Sequence, residues 1–168
     1  MNKNSEQNLP TKPKTDLNIR PASQADVGDI GRIARVTWDA TYNTTIAAEN
    51  RREFLQQAYK PENLAEAIDA NGHWFYIVEQ MGQAVAFGHF LRRYHPSQLR
   101  AELVRLYVLP EYQNLGWGEK LLKRGFSDLA KDGIEQCFVS VQESNHKAQK
   151  FYERHGFVYH RKHGQFLG

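Results

Sequence analysis

The sequence predicts an α/β domain built on a mixed sheet, antiparallel in its first part and parallel in its last. Apolar residues recur at helical spacing near both ends of the chain, whereas the middle holds short runs rich in Val, Tyr, Phe and Trp. After the middle region, helical segments alternate with strands, which is typical of parallel strands joined by crossover helices. Together these patterns favour one layered domain.

The first part of the chain predicts a strand followed by three helices. The run at 17–21 is typical of a short strand that ends at its proline. Ser23 and Asp26 then favour the start of a helix, and apolar residues follow at helical spacing. Two further helices are predicted at 49–59 and 61–68, the second opened by a proline and ended by Asn-Gly.

The rest of the chain predicts five strands and two helices. Three strands are predicted at 73–80, 83–93 and 102–108, with Met81-Gly82 at the turn of the first pair. There follow a helix at 116–131, a strand at 135–141, a helix at 145–155 and the last strand at 157–161. The strand at 135–141 is continuously apolar, so we expect both of its faces to be covered.

The length and composition of the chain favour one domain. Its 168 residues suit a single domain, which we place at 17–168. Residues 1–16 are polar and rich in Pro and Lys, and they lack the apolar core of a signal peptide, so we expect a disordered leader. No long apolar run predicts a membrane-spanning helix. The single cysteine, Cys137, cannot form an intramolecular disulfide and suits a cytoplasmic protein.

The charge pattern and the histidines argue against two kinds of partner. The formal net charge is +3, but the Lys and Arg residues are scattered and mixed with acids, so no nucleic-acid partner is expected. One cysteine and seven scattered histidines show no ligand spacing, so no metal is expected.

The most informative segment runs from Glu102 to Leu122 and joins a strand, a proline, a glycine loop and an amphipathic helix. The loop contains Gln113, Gly116 and Gly118. The first N–H groups of a helix lack internal partners, the helix dipole is positive there, and glycine lets the backbone approach an anion closely. The pattern therefore favours a phosphate-bearing ligand. A P-loop is excluded because no Lys-Ser/Thr follows the glycines, and a Rossmann-type site because a third glycine is absent.

This segment resembles the pyrophosphate-binding motif of the GNAT family of N-acetyltransferases, Arg/Gln-x-x-Gly-x-Gly/Ala. Downstream, Asn145, Tyr152, Gly156 and Phe157 resemble the second signature of that family. Because both signatures occur in the family order, the chain is identified as a member of the family from Asn18 to His160. The resemblance implies a mixed, mostly antiparallel sheet with a splayed pair of parallel strands and helices on both faces.

The resemblance also implies acetyl-CoA as the cosubstrate. In relatives the strand before the loop pairs its backbone with the pantetheine arm, and the matching residues here are Leu106, Tyr107 and Val108. Asn145 matches a residue that contacts the cofactor, and Tyr152 matches the general acid beside the cofactor's sulfur. The expected pyrophosphate cradle consists of Gln113, Asn114, Leu115, Gly116, Trp117 and Gly118, although we expect the Trp117 ring to pack beneath the following helix.

The implied reaction is direct transfer of the acetyl group to a primary amine in a ternary complex. The attacking amine must be neutral, so a base or a water chain has to remove a proton at neutral pH. Glu102 lies six residues before Val108 and resembles the position of a catalytic glutamate in the histone acetyltransferases of the family. Glu79, at the end of a central strand, is a second candidate. Ser140 stands where other members carry a glutamate.

The acceptor is less specifically indicated than the cofactor. Residues 38–68 resemble the corresponding region of bacterial spermine/spermidine N-acetyltransferases, so a polyamine or another small amine is the expected acceptor. A peptide or protein N-acetyltransferase and a non-catalytic acyl-CoA-binding or regulatory module stay open. Five acidic residues could form a polyamine site, or they could be solvated helix faces: Glu49, Glu53, Glu62, Glu66 and Asp69.

The last residues of the sequence affect whether a seventh strand covers the edge of the sheet. Relatives continue past the sixth strand into a seventh, whereas here the sequence stops at Gly168, so the seventh strand is expected to be short or missing. An open sheet edge invites pairing with another chain, and we therefore predict a homodimer.

Overall fold

The computed structural model describes residues 17–160 except Ser97. The predicted leader at 1–16 and the segment at 161–168, where the seventh strand was sought, lie outside the described residues. Within the described part, no helix is both long enough and apolar enough to cross a membrane.

The described part contains five strands and five helices in the predicted order. The strands are β1 (Leu17–Pro21), β2 (His73–Gln80), β3 (Gln83–His95), β4 (Gln98–Val108) and β5 (Gln136–Val139). The helices are α1 (Val27–Tyr42), α2 (Ala48–Ala58), α3 (Pro61–Asp69), α4 (Trp117–Lys131) and α5 (His146–Arg154). A 3₁₀ turn at Gln24–Asp26 precedes α1, and a second at Pro110–Tyr112 follows β4.

The five strands form one sheet in the order β1-β2-β3-β4-β5, antiparallel up to β4 and parallel between β4 and β5. Met81 and Gly82 connect β2 to β3 with φ values of 51° and 75°. Left-handed values at both central residues match the twist of the flanking strands, which is why this short hairpin forms. The predicted mixed sheet, with its single parallel pair of described strands, is thus confirmed.

The front face of the sheet is covered by α1 and α2. We define this face by the side chains of four residues that pair across β3 and β4: Phe87, His89, Arg105 and Tyr107. The indole Nε1 of Trp38 on α1 donates to the Tyr107 hydroxyl at 3.0 Å. Arg105 donates from Nη2 to the carbonyl of Ala58, the last residue of α2, at 3.0 Å. These contacts fix both helices against β4.

The back face of the sheet is covered by α4, whose apolar stripe includes Leu121, Leu122 and Leu129, all buried. Gly88 and Gly125 allow the helix to come close. A Cβ on Gly88 would lie 3.6 Å from a methyl of Leu121, and a Cβ on Gly125 would lie 2.2 Å from the ring of Phe90. Helices therefore cover both faces, as expected.

Two details at the end of the chain differ from the predictions. Phe157–His160, the described part of the predicted last strand, form no strand, and Val158 and Tyr159 are largely exposed. The prediction that both faces of the strand at 135–141 are covered is wrong. Gln136 and Phe138 are exposed, whereas Cys137 is half-buried, because β5 is the last described strand of the sheet and is packed on one face.

The contact between Gly125 and Phe90 gives a prediction about stability. Gly125→Ala should lower the free energy of unfolding by about 1–3 kcal/mol, because the added methyl overlaps a fully buried ring. Gly31→Ala in α1 is the matched control, since nothing lies within 4 Å of its added Cβ and alanine favours a helix by about 0.5–1 kcal/mol. Urea unfolding of both variants measures the difference, and an equal or greater stability of Gly125→Ala would contradict the close packing.

Candidate functional site

The site is organised by a gap between β4 and β5. The two strands pair from Arg100 to Leu103, after which β5 ends at Val139 while β4 continues to Val108. Leu109 donates its backbone N–H to Val85 on β3 at 3.0 Å. Because backbone groups alternate along a strand, those of Val108 and Leu106 point away from β3 into the gap. This open edge can accept an extended ligand as an added strand.

The carbonyl of Val108 is bound by the loop that follows. Gln113 donates from Nε2 to this carbonyl at 3.0 Å, and its Oε1 accepts from Lys147 on α5 at 2.5 Å. The loop is thereby tied to β4 on one side and to α5 on the other. Lys147 brings an ammonium group to the loop.

The loop turns into α4 through two residues with left-handed backbones. Asn114 has φ of 62° and Gly116 has φ of 84°, and Leu115 between them is exposed. Gly116 occupies the N-cap position of α4 and has no side chain to bind the first helical N–H groups. These N–H groups and the positive end of the helix dipole remain available at the mouth of the gap, an arrangement suited to a phosphate.

Glycine at position 118 has two effects. It lets a ligand approach the loop closely, and it leaves room for a neighbouring helix to pack. A Cβ at this position would lie 3.0 Å from the ring of Phe151 on α5. Trp117 is buried, as expected, with the ammonium of Lys120 4.4 Å from its ring centroid. Its indole Nε1 has no hydrogen-bond partner among the described residues. Gly118 thus allows α4 and α5 to pack closely against each other.

Asn145 caps α5 and reaches across the site to α1. Its side-chain oxygen accepts from the backbone N–H of Ala148 at 3.1 Å, which makes Asn145 the N-cap of the helix. Its Nδ2 donates to the hydroxyl of Tyr42 at 3.2 Å. One asparagine therefore both starts α5 and connects it to the last residue of α1.

Tyr152 lies on the face of α5 that closes the gap. Its ring packs against Phe151 and Phe157 at centroid distances of 5.2 and 5.3 Å. Burial raises the pKa of its hydroxyl above the ordinary value, and the neighbouring Tyr107 and Tyr42 raise this pKa further. Among the described residues, the hydroxyl has no hydrogen-bond partner. Tyr152 therefore presents a neutral, free O–H donor beside β4.

The wall opposite Tyr152 is aromatic and comes from α1 and α2. Trp38 stacks on Phe54 with a centroid distance of 4.3 Å and packs against Tyr42 at 4.7 Å. Arg51, which is buried, binds Asp39 at 3.0 Å and fixes the turn that carries this wall. These residues lie in the segment at 38–68 that the sequence linked to the acceptor, but the sequence did not predict that they form one wall. The signal was present, because Trp38 and Tyr42 lie four residues apart on one helical face.

The two candidate bases lie in different surroundings. Glu102 is in the part of β4 that pairs with β5, and its side chain is 17% exposed. Its Oε2 accepts from Nε of Arg93 at 2.7 Å and also from Nη2 of the same guanidinium. Glu79 is on β2, two strands from the gap, and binds Arg20 at 2.6 Å. Only Glu102 shares a strand with the open edge.

The front face beside the gap carries a chain of nitrogen groups. Arg105 donates from Nη1 to Nδ1 of His89 at 3.2 Å, and Nε2 of His89 lies 3.0 Å from Nδ1 of His73. A guanidinium only donates, so Nδ1 of His89 is the acceptor and its Nε2 carries the proton toward His73. Burial, with Arg105 second, lowers the pKa of His89 to about 2. His89 is therefore neutral throughout the physiological range.

The five acidic residues considered for a polyamine site are all exposed on α2 and α3. Asp69 accepts from Nε2 of Gln24 at 2.6 Å, which directs it toward the turn before α1. Among residues 17–96 and 98–160, no three His, Cys, Asp or Glu side chains lie close enough together to hold a metal ion.

The chain is similar in sequence to known acetyltransferases. The sequence model of the acetyltransferase (GNAT) family matches residues 36–157. The spermidine N(1)-acetyltransferase of Thermoplasma acidophilum is 26% identical over 143 residues, which are 84% of this chain and 88% of that protein.

Solved structures agree as well. The crystal structure of the PaiA N-acetyltransferase from Thermoplasma acidophilum in complex with coenzyme A has a TM-score of 0.83 at 25% identity and covers 89% of this chain and 94% of that chain. An N-acetyltransferase from Ralstonia eutropha shares the fold, with a TM-score of 0.74 at 18% identity over 89% of this chain and 97% of its own. The open edge of β4, the glycine loop and α5 are all within the matched region, and the chain belongs to the GNAT family of acetyltransferases.

Proposed function

We propose that the protein transfers the acetyl group of acetyl-CoA to a primary amine of a small molecule, by direct attack in a ternary complex. The observation that carries this proposal is the open edge of β4, which runs from Leu106 into a left-handed loop and the uncapped start of α4. The edge suits an extended amide-bearing arm, and the loop suits the phosphates at the end of that arm.

The half-buried Cys137, the single cysteine, is consistent with a reducing cytoplasm.

We propose that coenzyme A occupies the gap. In this proposal the backbones of Leu106 and Val108 pair with the pantetheine arm, with Tyr107 between them on the strand. Residues 113–118 cradle the pyrophosphate, and Lys147 adds a positive charge at the same loop. Asn145 keeps α5 beside the arm through its contact with Tyr42. Tyr152 faces the sulfur.

The reaction forms a C–N bond and breaks the C–S bond of the thioester. A free alkylamine has a pKa of about 10.4, so at pH 7 only about one molecule in 10³ is neutral and able to attack. The carbonyl oxygen becomes an oxyanion, which the N–H of Leu106 can stabilise from the open edge. The amine proton leaves to a base, and the departing thiolate takes a proton or a hydrogen bond from a donor.

Tyr152 is the donor in this proposal. Its raised pKa keeps the phenol protonated, and its hydroxyl is not engaged by other described residues. The same raised pKa makes complete proton transfer to a thiolate uphill, since a thiol of about 8.5 is the stronger acid. We therefore assign Tyr152 a hydrogen bond to the leaving sulfur, with the final proton coming from water.

Glu102 is the base that we favour, acting directly or through a water molecule. One of its carboxylate oxygens is held by Arg93, which fixes the carboxylate on the front face and leaves Oε1 available. Glu79 is a weaker candidate because Arg20 binds it and β3 separates it from β4.

The first test of the function is binding and turnover together. Acetyl-CoA at about 100 times its Kd should add roughly 2.7 kcal/mol of stability and raise the Tm by about 5–10 °C. An amine panel with acetyl-CoA, read by release of free thiol, should then show turnover with at least one primary amine. Absence of the Tm shift would refute the cofactor assignment, and a shift without turnover would favour a non-catalytic acyl-CoA-binding module.

The role of Tyr152 predicts a particular pH dependence. Tyr152→Phe should lower kcat by about 10²-fold while leaving the Kd for acetyl-CoA within a factor of about two. Because the phenol stays neutral well above pH 9, the ratio of wild-type to variant kcat should be constant from pH 6 to pH 9. Phe151→Leu on the same helix controls for changed packing. A ratio that varies with pH in this range would contradict a donor that remains protonated.

The two candidate bases can be separated by isosteric variants. Glu102→Gln should lower kcat/KM by about 10²-fold at pH 7, because the amide cannot take a proton from the amine. Glu79→Gln removes a carboxylate bound to an arginine in the same manner, but away from the gap, and should keep kcat/KM within about twofold. The reverse order of effects would assign the base to Glu79.

A further inference from the structure

We propose that the acceptor amine carries a carboxylate and that Arg105 binds this carboxylate. The inference rests on the proposed acetyl transfer and names the class of acceptor: small amino acids, in which one molecule bears both a primary amine and a carboxylate. Under this proposal a polyamine is a poor acceptor. The argument depends on where Arg105 lies, what it contacts and which charges surround it.

Arg105 is adjacent to the reacting edge of β4. It precedes Leu106, whose backbone points into the gap, and it shares the front face with Tyr107. The Tyr107 hydroxyl binds Trp38, and Tyr107 also raises the pKa of Tyr152, so the two phenols are neighbours. In this proposal the acceptor approaches from the front face, with its amine at the acetyl group and its carboxylate at Arg105.

Arg105 is half-buried, and no carboxylate among the described residues forms an ion pair with it. Its contacts are the Ala58 carbonyl at 3.0 Å, Nδ1 of His89 at 3.2 Å and the Tyr59 ring, whose centroid is 4.8 Å from Cζ. These neutral contacts hold the side chain in place but leave its charge uncompensated. A guanidinium matches a carboxylate with two parallel hydrogen bonds, so a bound carboxylate would compensate the charge of Arg105.

His89 helps to orient the guanidinium of Arg105 without adding a charge beside it. Because His89 is buried and neutral, its Nδ1 accepts a hydrogen bond from Arg105 and does not repel it. The imidazole stacks on Phe75 at a centroid distance of 4.0 Å and contacts His73 on its other nitrogen. The guanidinium is thus oriented by groups that carry no charge, and its affinity for an anion is preserved.

The strands that form the front face around Arg105 carry more arginines than acids. Besides the histidines, the charged side chains that β3, β4 and β5 place on this face are Arg93, Arg100, Arg105 and Glu102. Arg93 binds Glu102, and Arg100 binds the neutral Gln98 at 2.8 Å. Among the described residues, neither Arg100 nor Arg105 forms an ion pair with a carboxylate. Two unpaired guanidinium groups attract an anion.

A panel of matched acceptors tests the proposal. The ω-amino acids from glycine to 6-aminohexanoate are each assayed beside the alkylamine that lacks the carboxylate, together with the twenty amino acids and spermidine. For the best pair, kcat/KM should favour the amino acid by about tenfold or more, which is the usual value of a hydrogen-bonded charged contact. The preferred chain length measures the distance from the amine to Arg105.

Variants assign the preference to Arg105. Arg105→Gln should lower kcat/KM for the amino acid by about tenfold or more, mainly through KM, while the matched alkylamine changes by less than about twofold. Arg105→Lys keeps the charge without the paired hydrogen bonds and should recover part of the loss. Arg32→Gln, on α1 and bound to Asp29, is the control arginine. The Tm of each variant shows whether a loss of kcat/KM comes from weaker recognition of the carboxylate or from general destabilisation of the protein.

The outcomes distinguish this inference from the proposed function. Turnover that prefers spermidine or the alkylamines overturns the carboxylate proposal and leaves acetyl transfer in place. Equal losses for the amino acid and the alkylamine in Arg105→Gln would mean that Arg105 only supports α2, and would also overturn it. Absence of turnover with every amine, despite acetyl-CoA binding, refutes the proposed function itself.

Discussion

The early end of β5 beside a continuing β4 is the constraint on which the rest of the site depends. A parallel pair of strands would normally satisfy every backbone group along its shared length, but here the ladder stops at Leu103 and Val139. Beyond that point β4 pairs with β3 alone, so the backbone of Leu106 and the N–H of Val108 face the gap, whereas the Val108 carbonyl accepts from Gln113. Such groups are costly to bury without a partner. The unpaired edge therefore favours a ligand that supplies the missing hydrogen bonds.

The helices around the gap are coupled to one another by specific side chains. Gln113 joins the end of β4 to α5 through Lys147, and Gly118 admits the ring of Phe151 between α4 and α5. Asn145 joins the start of α5 to the end of α1 through Tyr42. A displacement of α5 would disturb all of these contacts together. The position of Tyr152 is consequently determined by several independent contacts.

The two sides of β4 differ in chemistry. Toward the back face, Leu106 and Leu121 pack closely around Gly88, and α4 excludes water. Toward the front face, the strand presents Arg105 and Tyr107, which are oriented by neutral neighbours. The register between β3 and β4 shifts by one residue between His89 and Phe90. Because of this bulge, Glu102 lies on the same face of the sheet as Arg105 and Tyr107. One strand can thus serve a cofactor along its edge and an acceptor on its face.

The sequence by itself determined the fold class, the order of the elements, the glycine loop and the family, because these depend on local periodicity and on spacing within short segments. Gln113, Gly116 and Asn145 were predicted as site residues for the same reason. Burial of β5 on one face, the wall formed by Trp38 and Tyr42, and the absence of a described carboxylate beside Arg105 were decided only by the tertiary structure. Each of these depends on which distant segments meet across the sheet, and periodicity along the chain carries no information about such neighbours.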